Sequence, residues 1–328
     1  MKLHIVATFS LCLFLTSLLF SCNDTLMAMN LLRIGTGGET GVYYPIGKLI
    51  AEGITNKAQE KDSPLPIIIG VAQKSAGSVE NILAIYNKEI EAGLVQADVA
   101  SLAYSGEIQL SGISETSSIR AIASLYSEKF QVVVRKDTNI KSFQELKGKR
   151  ISIDEEGSGT LAVMRIVLDA YDMKEEDLLP FYLKPVFTHK RLTDRQIDGF
   201  VMMAGAPMAA VTELLDVGVT LLPLDKNFLR KINKTYPYLF PGSIEEGTYK
   251  NIPEITTLEV YALLVVHEDM SEESAYGITR ALFSEETLER LRLGHPQGKS
   301  ITMETGLNGV SIPLHPGAKR FFDEQKKL

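Results

Sequence analysis

Gly35-Thr36-Gly37-Gly38-Glu39-Thr40-Gly41-Val42-Tyr43-Tyr44-Pro45-Ile46-Gly47 decides the fold class. An apolar stretch, Leu31 to Ile34, leads into it, and a helix-compatible stretch follows from about Tyr44 to Asn56. Glycines let a backbone approach a ligand closely, because no Cβ intervenes. The helix that follows presents unpaired N–H groups and the positive end of its dipole, an arrangement that suits an anion. Two tyrosines stand beside the turn to pack or hydrogen-bond. The run is not a nucleotide loop. Lys48 is followed by Leu49 instead of Ser or Thr, and Gly41 comes one residue too late for Gly-x-Gly-x-x-Gly. The plainer reading is a tight turn that only joins strand to helix.

A second turn of the same kind weighs against that plainer reading. Gly157-Ser158-Gly159-Thr160 follows a strand-like Arg150–Ile153 and precedes a helical stretch to Ala170. The two turns are too far apart for one strand–helix–strand unit, so each belongs to its own α/β lobe and both face one cleft. Ligands of open α/β sheets bind at the carboxyl ends of strands, where both turns sit. Between and beyond the turns, short apolar runs alternate with helical patterns. Strands are predicted at 66–71, 92–95, 119–125, 130–135, 197–203, 219–222 and 256–266. Helices are predicted at 78–86, 97–104, 272–293 and 318–325. This alternation predicts mainly parallel sheets flanked by helices. Residues 31–126 with 250–328 make lobe I, and 127–249 make lobe II. The stretch from Pro237 to Pro253 reads as a surface connection.

The N-terminus reads as an export signal, residues 1–21, followed by a tether, 22–30. Lys2 is its only charge, and Ile5 to Phe20 is uncharged yet shorter than the ~20 residues of a membrane span. Leu19-Phe20-Ser21-Cys22 resembles a bacterial lipobox with an unusual phenylalanine. Two outcomes fit: lipidation of Cys22, or cleavage near Ala28 to a soluble periplasmic form. The only cysteines are Cys12 and Cys22, so the mature chain has no disulfide, thiol nucleophile or thiolate metal site. The whole chain carries net charge −7 and no basic patch interleaved with aromatics, which argues against nucleic acid.

Candidate binding residues cluster after the strands. Ser75, Ser78 and Asn81 follow the second strand, where Ser78 also suits a helix N-cap. Gln96 ends the third strand, and Asp98 beside it reads as a cap. Ser158, Gly159 and Thr160 offer hydroxyls and a helix start. Pro207 suits the first position of a helix, and Met202 and Met203 suit the core. Catalysis finds no support. His189, His267, His295 and His315 are not spaced as metal pairs, no Gly-x-Ser-x-Gly elbow occurs, and Glu155-Glu156 reads as a solvated pair. No cofactor, catalytic residue or metal site is implied.

The run from Ile34 to Gly47 resembles the signature of the TAXI family, the solute receptors of TRAP transporters. Ser75-Ala76-Gly77-Ser78-Val79-Glu80-Asn81, Gln96-Ala97-Asp98, Gly157 to Thr160, Gln196 to Phe200, Gly205-Ala206-Pro207 and Leu314 to Ala318 match in order. The resemblance implies a type II-like periplasmic-binding-protein fold, monomeric, closing on a small carboxylate or amino acid such as glutamate. It also implies delivery to TRAP membrane permease subunits. Carried onto this chain, it puts Thr36, Gly37, Gly38, Tyr43, Ser75, Ser78 and Gln96 on one side of the ligand, with Ser158, Gly159 and Thr160 opposite. It singles out no arginine. The alternative is an exported binding protein, antigen or sensor without a transport partner.

Overall fold

The computed structural model describes residues 30–327 except 62, 64, 67 and 108–116. The signal, Cys22 and all of the tether but Asn30 lie outside the described residues. In chain order the elements are β1 (Asn30–Gly35), α1 (Tyr43–Ala58), β2 (Ile68–Gln73), α2 (Ser78–Tyr86), β3 (Ala92–Gln96), α3 (Ala97–Tyr104), β4 (Ile119–Arg135), β5 (Arg150–Ser152) and α4 (Gly159–Ala170). There follow β6 (Leu179–Phe181), α5 (Pro185–Thr193), β7 (Gly199–Ala204), α6 (Ala209–Thr212), β8 (Val219–Leu222), α7 (Lys226–Thr235) and β9 (Phe240–Ile244). The chain ends with β10 (Ile255–His267), α8 (Glu272–Leu282), α9 (Glu285–Gly294) and α10 (Pro316–Gln325).

The strands order as β2-β1-β3-β10-β4-β7-β5-β6, with β8 also on β4 and β9 on β10. Two long strands run through both halves. The end of β10, Ala262 to Val266, pairs with β3, while its start, Ile255 to Glu259, pairs with β9. The end of β4 pairs with β7 and β8. The β4–β10 ladder joins these halves, with register shifts between Tyr261 and Leu263 and between Leu264 and Val265. Extra residues on one strand bend it and increase its twist.

Four expectations are corrected. The two strands predicted at 119–125 and 130–135 are one strand, β4. Ser127-Glu128-Lys129 reads as a polar break, but no Gly or Pro interrupts it, and it pairs in unbroken register with Tyr261, Val260 and Glu259, the bulges falling before Ser127. The sheet is mixed: β3–β10, β10–β4 and β4–β7 are antiparallel, while β1–β3, β5–β6 and β5–β7 are parallel. A strand buried on both faces is apolar throughout whichever way its neighbours run, so pattern does not reveal direction. The helix predicted at 272–293 is two helices, because Ser284 Oγ accepts from Thr287 N–H and starts a new one. The connection at 237–253 contains β9.

The core lies on both sheet faces. Ala262, Leu264 and Val266 of β10 pack into one cluster, while Leu263 and Val265 pack into the other. This is the period of two that a strand imposes. Each such Leu, fully buried, contributes about 2 kcal/mol. The β4–β10 ladder therefore joins the two halves, and the turns at its sides form the site.

Candidate functional site

Four helix starts surround one cavity of about 50 Å³. A water needs ~10–15 Å³ on this measure, so the space fits a few small groups. α1 starts at Tyr43 and α2 at Ser78; α3 follows Gln96 directly, and α4 starts at Gly159. Gly37, Gly38, Tyr43, Ser78 and Gln96 line one side, and Ser158, Gly159 and Thr160 line the other. The sides touch. Val79 and Glu80 N–H donate to the Gly157 carbonyl of the opposite side, each at 3.1 Å. Gly77 sits at φ 125°, where only glycine is comfortable.

Thr36 and Ser75 do not reach the cavity lining. The buried Thr36 hydroxyl donates to the Gln73 carbonyl at 2.7 Å, joining the ends of β1 and β2. The Ser75 hydroxyl lies 3.0 Å from the Thr36 carbonyl and donates to Asn81 Oδ1 at 2.7 Å. Asn81 in turn donates to the Thr36 and Leu94 carbonyls at 2.8 Å each. These three residues hold the first turn in shape. The hydroxyls of Ser78, Ser158 and Thr160 have local partners as well. Ser78 Oγ accepts from Gln96 N–H, Ser158 Oγ caps α4 through Leu161 N–H, and Thr160 Oγ1 accepts from Met203 N–H. Gly77, rather than Ser78, is the N-cap of α2. Pro207 precedes Met208, the N-cap of α6, so it is not in the helix.

The floor holds acids that sequence reasoning missed. Glu128 and Asp154 line the cavity together with Glu155, Met202 and Met203. Glu128 lies on β4 opposite Val260 and is fully buried. Neither of its carboxyl oxygens has a hydrogen-bond partner, and the buried Tyr43 hydroxyl and Gln96 Oε1 are equally unpartnered. Burial pushes Glu128 well above the ordinary carboxylate range; nearby Asp98 adds to this, while Tyr43 and Gln96, facing it outside good hydrogen-bond geometry, oppose it. Burial likewise raises Asp154 to about 7, against the Glu155 backbone N–H and Thr160. Asp98, also buried, rises to about 7 for the same first reason. Burial, with Glu128 and Tyr126 adding, lifts the Tyr43 hydroxyl well above its usual value. Glu155 is not the free solvated group its sequence suggests, for Lys184 Nζ lies 3.5 Å from it. No Lys, Arg or His appears among the described residues that line the cavity. Among the described residues, no group of three or more His, Cys, Asp or Glu could hold a metal. No helix among them is long and apolar enough to cross a membrane.

One sequence signal pointed to Glu128. It shares strand parity with Phe130, Val132 and Val134, all buried in one cluster.

Two halves sharing a continuous strand pair, with a cavity ringed by helix starts, define a two-lobed periplasmic-binding-protein fold. The chain belongs to the NMT1-like family, whose model matches residues 34–325. Solved structures share the fold at low identity. The alkanesulfonate-binding protein SsuA from Xanthomonas axonopodis pv. citri, bound to MOPS, is 14% identical, with 89% of this chain and 83% of that chain covered and a TM-score of 0.50. A protein of Bordetella bronchiseptica RB50 is 15% identical over 90% of this chain and 82% of that one, with a TM-score of 0.55. A structure from work on glutathione import through GshT and the cystine ABC importer TcyBC of Streptococcus mutans is 12% identical over 85% and 97%, with a TM-score of 0.50.

Proposed function

We propose that this chain is the exported solute receptor of a TRAP-type secondary transporter. It binds a small carboxylate such as glutamate, or a related amino acid, by lobe closure and presents it to the membrane permease. The observation that carries this reading is the small cavity between Gly37–Tyr43 and Ser158–Thr160, with four helix starts around it. Helix starts favour negative charge, and excluding water strengthens every contact inside. The hinge lies along β4 and β10, the two strands that pass between the halves. Ligand shifts the balance toward closure by its preference for the closed state. The TRAP partner follows from the motif resemblance. Support for an acid-bearing solute comes from structural relatives described by alkanesulfonate and glutathione, both of which carry acid groups.

The test is the melting temperature of residues 31–328 against amino acids, dicarboxylates, sulfonates and sugars. A ligand at a hundredfold excess over Kd adds about 2.7 kcal/mol, a rise of about 5 °C for a chain of this size. A clear rise with one class supports a receptor for it. No rise with any class contradicts the reading. Uptake of that solute in cells lacking the gene then decides about transport: unchanged uptake favours a sensor or antigen, and loss of uptake on ATP depletion alone points to an ABC importer.

A further inference from the structure

We infer that Glu128 receives an ammonium group of the solute, so that the ligand is an amino acid or amine and not a simple organic acid or sulfonate. This rests on the receptor reading and makes its ligand class specific. Three buried acceptor atoms around the cavity have no donor: Glu128 Oε1, Glu128 Oε2 and Gln96 Oε1. The Tyr43 hydroxyl is unpartnered too and has one hydrogen to give. Tyr43 and the Gln96 amide face Glu128 outside good hydrogen-bond geometry, so neither satisfies it as placed. Buried polar groups without partners are rare and costly, so a ligand that supplies the missing donors gains what the empty protein lacks. An ammonium brings three N–H donors and a positive charge; a carboxylate or sulfonate brings acceptors only. No Lys, Arg or His among the described lining residues competes for Glu128. The positive ends of the helices face the ligand carboxylate, so a floor of acceptor oxygens stands opposite a positive rim. That polarity matches a zwitterion.

A rival arrangement keeps Glu128 protonated, donating its O–H to a ligand carboxylate. Glu128→Gln separates the two, because a glutamine amide still donates but cannot pair with an ammonium. The experiment is calorimetric titration of the folded protein with L-glutamate, L-aspartate, L-alanine and 4-aminobutyrate. Each is measured beside its N-acetylated and its deaminated counterpart, with methanesulfonate added. The inference expects at least one free amine to bind, its blocked and deaminated counterparts to bind roughly tenfold to a hundredfold more weakly, and Glu128→Gln to lose affinity for the amine by a similar factor. The melting temperature of ligand-free Glu128→Gln should match or exceed that of the parent. If that variant does not fold, Gln96→Leu serves instead, and the amine should lose affinity relative to its N-acetyl form. Equal binding of amine and deaminated forms, or binding of acids alone, overturns the ammonium site and leaves the receptor reading intact. Binding by no compound overturns both.

Discussion

The rim and the floor of the cavity are built from different material. The rim is made of turns: Gly37 and Gly38, Gly77 and Ser78, and Ser158 to Thr160, each at a helix start. Its hydroxyls and amides are mostly occupied within the turns or across the gap. The floor is made of strand and strand-end residues, Glu128 and Asp154 beside Met202 and Met203, and its key polar atoms are unoccupied. Substitutions in the rim should therefore cost stability first, and substitutions in the floor should change chemistry first.

The largest expected effect is in the acids. Asp98, buried beside Glu128, stays protonated in the fold up to about 7, whereas an unfolded Asp loses its proton near 4. Its stabilising contribution is complete below pH ~4 and is lost as pH rises to about 7. Asp98→Asn removes that dependence. His295 and His315, held below their ordinary values by burial, act in the opposite direction in wild type and variant alike. The difference between the two proteins isolates the acid. Urea unfolding from pH 4 to 7 should show the parent losing a few kcal/mol relative to Asp98→Asn, at about 1.4 kcal/mol per pH unit. A flat difference would mean Asp98 ionises freely in the fold.

Rim substitutions follow in size. Asn81→Ala strands the Leu94 carbonyl, leaves the Thr36 carbonyl to the Ser75 hydroxyl alone, and should cost about 1–3 kcal/mol in equilibrium unfolding. Gly77→Ala forces a side chain into φ 125° and should cost about 1–3 kcal/mol. Ser158→Ala removes the cap of α4 and should cost about 1 kcal/mol. If Asn81→Ala and Gly77→Ala leave stability untouched but abolish ligand binding, the rim is not the scaffold described here.

The rim was legible because turn chemistry is local. Glycine after an apolar run, then Ser or Thr before a helix, signals a strand–turn–helix unit whatever lies elsewhere in the chain. Legibility stopped at partners. Thr36 and Ser75 carry the same hydroxyl as Ser158, yet their bonds go to Gln73, Thr36 and Asn81, and only the pairing of β1 with its neighbours decides that. The floor was not legible because Glu128 sits in a polar triplet that looks like a loop. It is buried because β10 lies alongside through Val260. That contact joins residues more than a hundred positions apart, and the parity with Phe130, Val132 and Val134 points to burial only once 119–135 is known to be one strand. The antiparallel direction of β10 was hidden for the same reason.

The central claim is that solute binds between the two sides and holds them together. Amide hydrogen exchange at Val79 and Glu80 tests it most directly, since both N–H groups bond from one side to the Gly157 carbonyl of the other. With a solute that raises the melting temperature, exchange at these two amides should slow markedly, more than at the amides of β10, which the sheet already protects. A solute that stabilises the protein while leaving Val79 and Glu80 unchanged would bind elsewhere, and the account would be wrong.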